Sequence, residues 1–141
     1  MHHYRKTKKQ YASYNAGDKA ATGCTFCKEI GGSNILLEND TMFVISNRVS
    51  YDMFEGRKVI DHLMVIPKRH SESLSDFTDH EKLDQMAIVG DYESRGYNVY
   101  ARGVASISRS VAHQHTHLIK LADKKPNFIF YANKPYILIK K

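Results

Sequence analysis

The chain has 141 residues, enough for one hydrophobic core and too few for two domains of ordinary size. Its 42% hydrophobic and 26% charged residues are typical of a folded soluble protein, and no apolar run approaches the length of a membrane span. The formal net charge of +6 favours anionic ligands such as phosphates or nucleic acid, although a basic balance also serves solubility.

The N-terminal part of the chain differs in composition from the rest. Residues 1–22 are rich in Lys, Tyr, Ser, Asn and Ala and lack apolar periodicity, which predicts a flexible basic arm before a single domain over residues 23–141. No apolar segment with a cleavage site follows the basic start, so we expect a cytoplasmic protein. In a reducing compartment, Cys24 and Cys27 at Cys-x-x-Cys spacing favour a metal site or a redox pair over a structural disulfide.

Alternation and turn residues predict strands in the first half of the domain. Residues 34–38 and 42–46 form two short apolar stretches, and the turn-forming residues 39–40 between them indicate a hairpin. Residues 47–61 are mostly polar with little apolar pattern, which predicts a loop. A third strand is predicted over residues 62–67.

A helix and several strands are predicted in the second half. Thr78 is a typical N-cap residue and Glu81 follows at capping-box spacing, so a helix is expected to run to about Ser94 and to stop before Gly96. Further strands are predicted over residues 97–102, 113–121, 128–131 and 136–140. The order indicates an α+β fold, an antiparallel sheet of about five strands with one main helix.

Three histidines alternate with other residues near the C-terminal third of the chain. Because side chains repeat every two residues along a strand, His113, His115 and His117 are predicted to share one face. Burying a row of imidazoles is costly unless each ring nitrogen finds a partner. An exposed edge strand explains three histidines in register poorly, so the row indicates catalysis or metal binding.

The segment His113-Gln-His115-Thr-His117-Leu-Ile119 resembles the His-x-His-x-His-x-x signature of the histidine triad (HIT) family. The segment Cys24-Thr-Phe-Cys27-Lys28 resembles the opening of many bacterial members, and residues 62–70 resemble their middle strand and following loop. The resemblance covers roughly residues 24–121. It implies a HIT-like fold and a homodimer in which the two sheets become continuous.

The resemblance also implies catalytic roles. His115 corresponds to the family's nucleophile, which attacks the α-phosphorus of a nucleotide conjugate and forms a covalent nucleotidyl-histidine that water then hydrolyses. His117 would donate a hydrogen bond to the phosphate or help to protonate the leaving group. Ser110 would stabilise charge on the phosphoryl oxygens, unless it is simply a loop serine.

Other positions of the expected nucleotide site depart from the family pattern or admit two interpretations. Arg109 stands where relatives commonly have glutamine, and it would either strengthen anion binding or face solvent. Asn47 replaces the aspartate that usually holds the ribose hydroxyls. Ile45 and Phe43 are candidates for the base pocket of a purine nucleotide, and either residue could instead belong to the core.

The resemblance implies a structural zinc ion held by Cys24, Cys27, His70 and His113. Such an ion would tie the N-terminal segment and the loop after the third strand to the catalytic strand. The alternative is a free thiol pair packed against Phe26.

Other interpretations of the same features remain open at this stage. The three triad histidines could themselves hold a catalytic ion, although a single row fits a tetrahedral shell poorly. The basic arm with its tyrosines could bind nucleic acid, and the domain could bind nucleotides without hydrolysing them. The substrate class is equally open among phosphoramidates, dinucleoside polyphosphates, adenylylated conjugates and nucleotide sugars. We interpret His62 and His80 as ordinary residues.

Overall fold

The computed structural model describes residues 23–127 together with the backbone of residues 129–133 and 136–140, so the predicted arm over residues 1–22 lies outside the described residues. The strands are β1 (Ile35–Glu38), β2 (Met42–Ser46), β3 (Met53–Phe54), β4 (Arg57–Pro67), β5 (Tyr97–Ala101), β6 (Thr116–Leu121), β7 (Ile129–Asn133) and β8 (Tyr136–Lys140). One α-helix, α1 (Asp79–Ser94), lies between β4 and β5, and short 3₁₀ helices span Phe26–Glu29 and Leu74–Asp76.

The strands form one main antiparallel sheet in the order β1-β2-β4-β6-β5, and β3 pairs with β4 beside it. β7 and β8 form a separate two-stranded ribbon. The predicted α+β fold, with about five principal strands and one main helix, is confirmed. No helix within the described ranges is both long and apolar enough to cross a membrane.

The centre of the sheet is covered on both faces. On one face, Leu63 and Val65 of β4 pack in a cluster with Ile88 and Val89 of α1. On the other face, the alternate residue Met64 packs in a second cluster with Phe26, Phe43, Ile45 and Ile66. Because the side chains of β4 alternate, its odd-numbered residues 63 and 65 face the helix and its even-numbered residues face the N-terminal segment.

The start of α1 is fixed by the predicted capping box. The Thr78 hydroxyl accepts a hydrogen bond from the Glu81 N–H (3.2 Å), and the Glu81 carboxylate accepts one from the Thr78 N–H (2.8 Å). Arg69 adds two further bonds to the same carboxylate, at 2.8 and 2.7 Å. At the other end, Gly96 adopts a φ of +83° that favours glycine, so the predicted stop is also confirmed.

Two predicted boundaries are wrong. Residues 47–61 are not a loop throughout, because β3 and the first residues of β4 form a tight hairpin whose turn places Glu55 and Gly56 at positive φ. The histidine strand begins at Thr116 rather than at residue 113. The reason is that the Gln114 N–H donates to the Ser71 carbonyl (2.7 Å) instead of joining the ladder with β4.

Candidate functional site

A pocket opens on the face of the sheet opposite α1. Its apolar lining includes Phe26, Met64 and Val111, and its polar lining includes Tyr51 and Arg102. Of the residues predicted for the site, it brings together Ile45, Asn47, Ser110, His115 and His117.

His115 is buried and held in one orientation. Its Nδ1 lies 2.9 Å from the carbonyl oxygen of His113, so the Nδ1–H donates and the lone pair remains on Nε2. Its ring packs edge-on against Phe26, with the two centroids 5.1 Å apart. Burial is the main cause that lowers the pKa of His115, so the imidazole is neutral at pH 7. A neutral, oriented imidazole with a lone pair is a nucleophile.

His117 is oriented by a chain of hydrogen bonds that begins on the backbone. The Tyr51 N–H donates to Nδ1 of His62 (3.1 Å), which leaves the His62 proton on Nε2. That Nε2 lies 2.9 Å from Nδ1 of His117, so it donates there and leaves the His117 proton on its own Nε2. Within the described part of the chain, the buried Nε2 of His117 has no hydrogen-bond partner. It is therefore a donor available to a ligand.

Electrostatics keep His117 neutral. Burial, and after it the neighbouring His115, His62 and Arg102, lower the pKa of His117 to about 2. The ring also lies against aromatic neighbours, with its centroid 5.5 Å from that of Tyr51. At neutral pH, His117 can therefore donate a hydrogen bond through Nε2 without carrying a charge.

The interpretation of His62 as an ordinary residue is wrong. Register places His62 opposite Ile119 and Met64 opposite His117, so His62 and His117 lie on the same face of neighbouring strands. Pairing the predicted strand over residues 62–67 with the histidine strand could have identified the role of His62. His80, in contrast, is exposed on α1 near Asp84, outside the pocket.

Asn47 lines the pocket, and its amide oxygen is used by the protein itself, because Oδ1 accepts a hydrogen bond from the Val49 N–H (3.0 Å). Its Nδ2 lies against the His62 ring, 3.5 Å from Nδ1 and 3.2 Å from the Nε2 that donates to His117. Ile45 is buried at the pocket wall, whereas Phe43, on the same face two residues away, is fully buried and absent from the lining. Phe43 is thus a core residue.

Arg109 does not line the pocket. Its Nε donates to the Val111 carbonyl (3.0 Å), and its Nη2 donates to the carbonyls of Glu72 (2.6 Å) and Ala112. These hydrogen bonds stabilise the backbone of the residues just before His113. Ser110, the next residue, is exposed at the pocket rim.

The second cluster of chemically active side chains consists of Cys24, Cys27, His70 and His113, whose ligand atoms all lie within 4.8 Å of one another. Nδ1 of His113 is 3.3 Å from Sγ of Cys24 and 3.6 Å from Sγ of Cys27, and Nδ1 of His70 is 3.4 Å from Sγ of Cys27. Sulfur and nitrogen ligands on one tetrahedral zinc ion would be about 3.6 Å apart.

His113 is oriented as a ligand. Its Nε2 lies 2.9 Å from the Pro67 carbonyl oxygen and donates to it, so the Nδ1 lone pair faces the thiols. Among the residues that the structure describes, no other group of three His, Cys, Asp or Glu side chains approaches closely enough to hold an ion. The four residues can bind a metal, and His115 and His117 are not part of that cluster.

Comparison with family models and with curated proteins gives no match. Solved structures do match. A member of the HIT family from Bacillus subtilis has 26% identity and a TM-score of 0.56, over 74% of this chain and 77% of that one. A HIT family hydrolase from Clostridium thermocellum has 22% identity and a TM-score of 0.55, over 77% and 98%. A histidine triad nucleotide-binding protein from Candida albicans has 21% identity and a TM-score of 0.56, over 81% and 86%.

These matches agree with the geometry of the site. The matched structures share the fold, and the three histidines at alternate positions lead into and along β6 of that fold. In its fold, this chain is therefore similar to proteins of the histidine triad family.

Proposed function

We propose that the protein is a nucleotidyl hydrolase or transferase that cleaves at the α-phosphorus of a nucleotide conjugate, with a purine nucleotide as the expected ligand. The observation that carries the proposal is the hydrogen bond from Nδ1 of His115 to the His113 carbonyl, because it leaves Nε2 as the nucleophilic atom. Two of the matched structures are named as a hydrolase and as a nucleotide-binding protein, which supports this class of reaction.

In the proposed reaction, Nε2 of His115 attacks the α-phosphorus. The phosphorus–nitrogen bond forms as the bond to the leaving group breaks, and the electron pair departs with that group. The Nε2–H of His117 donates to a non-bridging phosphoryl oxygen, where negative charge develops, and Ser110 stands at the rim to add a second donor. Water then attacks the phosphorus as the phosphorus–nitrogen bond breaks, and its proton passes through solvent to the departed group, which releases the nucleoside monophosphate and restores the neutral His115.

We also propose zinc as the ion of the Cys24, Cys27, His70 and His113 cluster. Two thiolates and two imidazoles at tetrahedral separations are a zinc donor set, and four protein ligands leave no position for substrate. Bound zinc would act as a structural crosslink. It would fix His113, whose carbonyl orients the nucleophile.

The experiment measures release of nucleoside monophosphate from an adenosine phosphoramidate and from diadenosine polyphosphates. The wild type is expected to release it, and His115→Asn is expected to lose at least about 10³-fold in kcat. His80→Asn, at an exposed histidine outside the pocket, serves as the matched control. Acid quenching followed by mass spectrometry should detect a nucleotidyl adduct on His115.

The result that contradicts the proposal is binding of nucleotide without release from any substrate. That outcome would leave a nucleotide- or nucleic-acid-binding protein of the same fold.

A further inference from the structure

An ion pair lies in the wall of the pocket, at its junction with a second cavity. The carboxylate of Glu29 bonds to the guanidinium of Arg48, and both side chains line the pocket. Both also line a neighbouring cavity that includes Ser33 and Leu36, and none of the described residues lining that cavity is a histidine. Glu29 is the one carboxylate among the described residues of the pocket lining. The pair therefore lies towards the end of the pocket that is away from the triad.

The 3₁₀ helix Phe26–Glu29 places the carboxylate relative to the nucleophile. Side chains three residues apart eclipse each other in such a helix, and each residue adds a rise of about 2 Å. The Phe26 ring packs against that of His115, with the centroids 5.1 Å apart. Glu29 is therefore on the same side as Phe26, about 6 Å along the helix axis. A nucleotide whose phosphorus meets His115 has its sugar next to that phosphorus, so its base is the part that can reach Glu29.

The carboxylate of Glu29 is held from two sides. Its Oε1 accepts a hydrogen bond from Arg48, and its Oε2 accepts one from Nδ2 of Asn34 (3.3 Å). The Glu29 side chain is only 12% exposed, whereas that of Arg48 is 53% exposed. Two carboxylate oxygens offer about four acceptor sites and a guanidinium has five N–H donors, so both groups can bond to a ligand as well as to each other.

The surroundings of the pair suit a flat, uncharged ligand. An ion pair carries no net charge, so it matches a polar neutral group better than a second phosphate. The apolar side chains of Phe26, Ile45 and Met64 line the same pocket. Apolar walls for the ring faces, together with hydrogen-bonding groups at the ring edge, are what proteins use to bind a base outside a helix.

The arrangement of donors and acceptors distinguishes between the two purines. Guanine presents its N1–H and 2-amino donors side by side, next to the O6 acceptor. A carboxylate can accept both of these hydrogen bonds, and a guanidinium beside it can donate to O6. Adenine has a lone pair on N1, which would face a carboxylate oxygen, and an amino group where guanine has O6. The pair is therefore complementary to guanine and not to adenine.

We propose that Glu29, together with Arg48, is a specificity-determining residue that binds the Watson–Crick edge of guanine, so that the preferred substrates are conjugates of guanosine nucleotides. The inference rests on the proposed function for the position of the phosphorus at His115 and for its kinetic consequence. It narrows the purine expected from the sequence to one base. The sequence offered no signal for this role, because the two residues are 19 positions apart and meet only in the folded chain.

The test begins with binding, which does not depend on turnover. GMP, IMP and AMP carry the same ribose and phosphate, so the ratios of their dissociation constants report on the base alone. The wild type should bind GMP at least about 10-fold more tightly than AMP, because one bidentate contact to a base edge discriminates by about that much or more. IMP has the N1–H and O6 of guanine without the 2-amino group, and its affinity should lie between the two.

Two variants separate the members of the pair. Glu29→Gln should bring GMP and AMP within about 3-fold and remove most of the difference between GMP and IMP, since an amide has one acceptor oxygen instead of two. Arg48→Gln should weaken GMP and IMP alike relative to AMP, because both have O6. Glu38→Gln breaks the Glu38–Lys68 ion pair, which lies outside both cavities, and should leave all the ratios unchanged.

The kinetic arm compares the phosphoramidates of guanosine and adenosine. In the wild type, kcat/KM should favour the guanosine substrate by at least about 10-fold, and Glu29→Gln should reduce that preference to within about 3-fold. If the wild type cleaves neither substrate but binds GMP with the expected preference, the proposed function fails and base recognition by Glu29 stands. Equal binding of GMP and AMP by the wild type, no binding of either, or an unchanged ratio in Glu29→Gln would overturn the inference.

A Glu29 variant that fails to fold does not remove the test, because an analogue can be titrated into the wild type instead. N1-methyl-GMP keeps the 2-amino group and O6 but has a methyl group in place of the N1 proton. Its affinity should fall to about that of AMP, since the methyl group stands where the carboxylate would accept a hydrogen bond. An affinity for N1-methyl-GMP equal to that for GMP would contradict the inference, because the Watson–Crick edge would then not be bound.

Discussion

Nε2 of His62 lies 2.9 Å from Nδ1 of His117, and that contact determines which nitrogen of His117 carries the proton. The relationship makes His62 a positioning residue for His117, although it does not itself line the pocket. We expect His62→Leu to lower kcat by about 10- to 100-fold with little change in KM, because a buried acceptor loses its donor. His62→Gln keeps a donor and should retain more activity.

Steady-state kinetics on both His62 variants check this prediction, and thermal unfolding is measured in parallel. The prediction fails if the leucine variant turns over like the wild type. It also fails if the leucine and glutamine variants lose activity equally, because hydrogen bonding would then not be the cause.

Removal of the proposed zinc ion should destabilise the fold. The cluster joins Cys24 and Cys27 of the N-terminal segment to His70 after β4 and to His113 before β6. Treatment with a chelator should therefore cost at least about 2 kcal/mol, roughly 6–10 °C in Tm, and zinc should restore it. The double variant Cys24→Ser, Cys27→Ser is the control and should not respond to the chelator. A wild type that purifies without zinc and gains no stability from it would refute the assignment.

The ion pair at the start of α1 predicts how stability depends on pH. Glu81 is almost fully buried, and its hydrogen bonds with Arg69 are the main cause that lowers its pKa from 4.5 to about 2. A carboxyl group whose pKa is lower in the folded state stabilises that state above its ordinary pKa, and the contribution is lost as the pH falls from about 4.5 through about 2.

Glu81→Gln isolates this charge, because glutamine can still complete the capping box. Since Arg69 is half-exposed, we expect a loss of only about 1–2 kcal/mol at pH 7. Chemical denaturation at several pH values should show the difference from the wild type shrinking below about pH 4. Glu93→Gln, at an exposed carboxylate on the same helix, should have little effect, and a pH-independent difference for Glu81→Gln would contradict the assignment.

The homodimer that the sequence resemblance implies has a candidate interface. α1 exposes Leu83 at 72% and Met86 at 63%, and Val99 is 44% exposed on β5, the last strand of the main sheet. Pairing of two copies would cover these side chains and join the two sheets. Analytical ultracentrifugation should therefore give a dimer for the wild type and a monomer for Met86→Asp, and the exposed Lys82→Asp is the matched control. A monomeric wild type would rule out this interface.

The parts of this molecule that follow from local chemistry could be predicted from the sequence. The capping box needs only Thr78 and Glu81 at the right spacing, and the spacing of His115 and His117 predicts two side chains that the structure brings to one pocket. In the same way, the resemblance brought Cys24 and Cys27 together with two histidines that are distant in sequence, and the structure places all four side chains next to one another.

The parts of the molecule that depend on pairing between distant segments could not be predicted from the sequence. His62 acquires its role only because register puts it beside the histidine strand, and Tyr51 reaches the site from a segment that looked like loop. Arg109 could not be assigned either, because its partners are backbone carbonyls of Glu72, Val111 and Ala112, which carry no sequence signal.

Side chains alternate between the two faces of the central strands, so odd-numbered and even-numbered positions should give different kinds of mutational effect. On β4, residues 63 and 65 face α1 while residues 62 and 64 face the site, and on β6 the assignment is reversed, with Leu118 towards the helix and His117 in the pocket. A saturation scan of residues 62–65 of β4 and 117–118 of β6 should therefore show phenotypes that switch from one position to the next. Substitutions facing the helix would reduce the amount of folded protein, whereas those at the neighbouring positions would alter what the folded protein does, so its stability could be engineered without touching its chemistry.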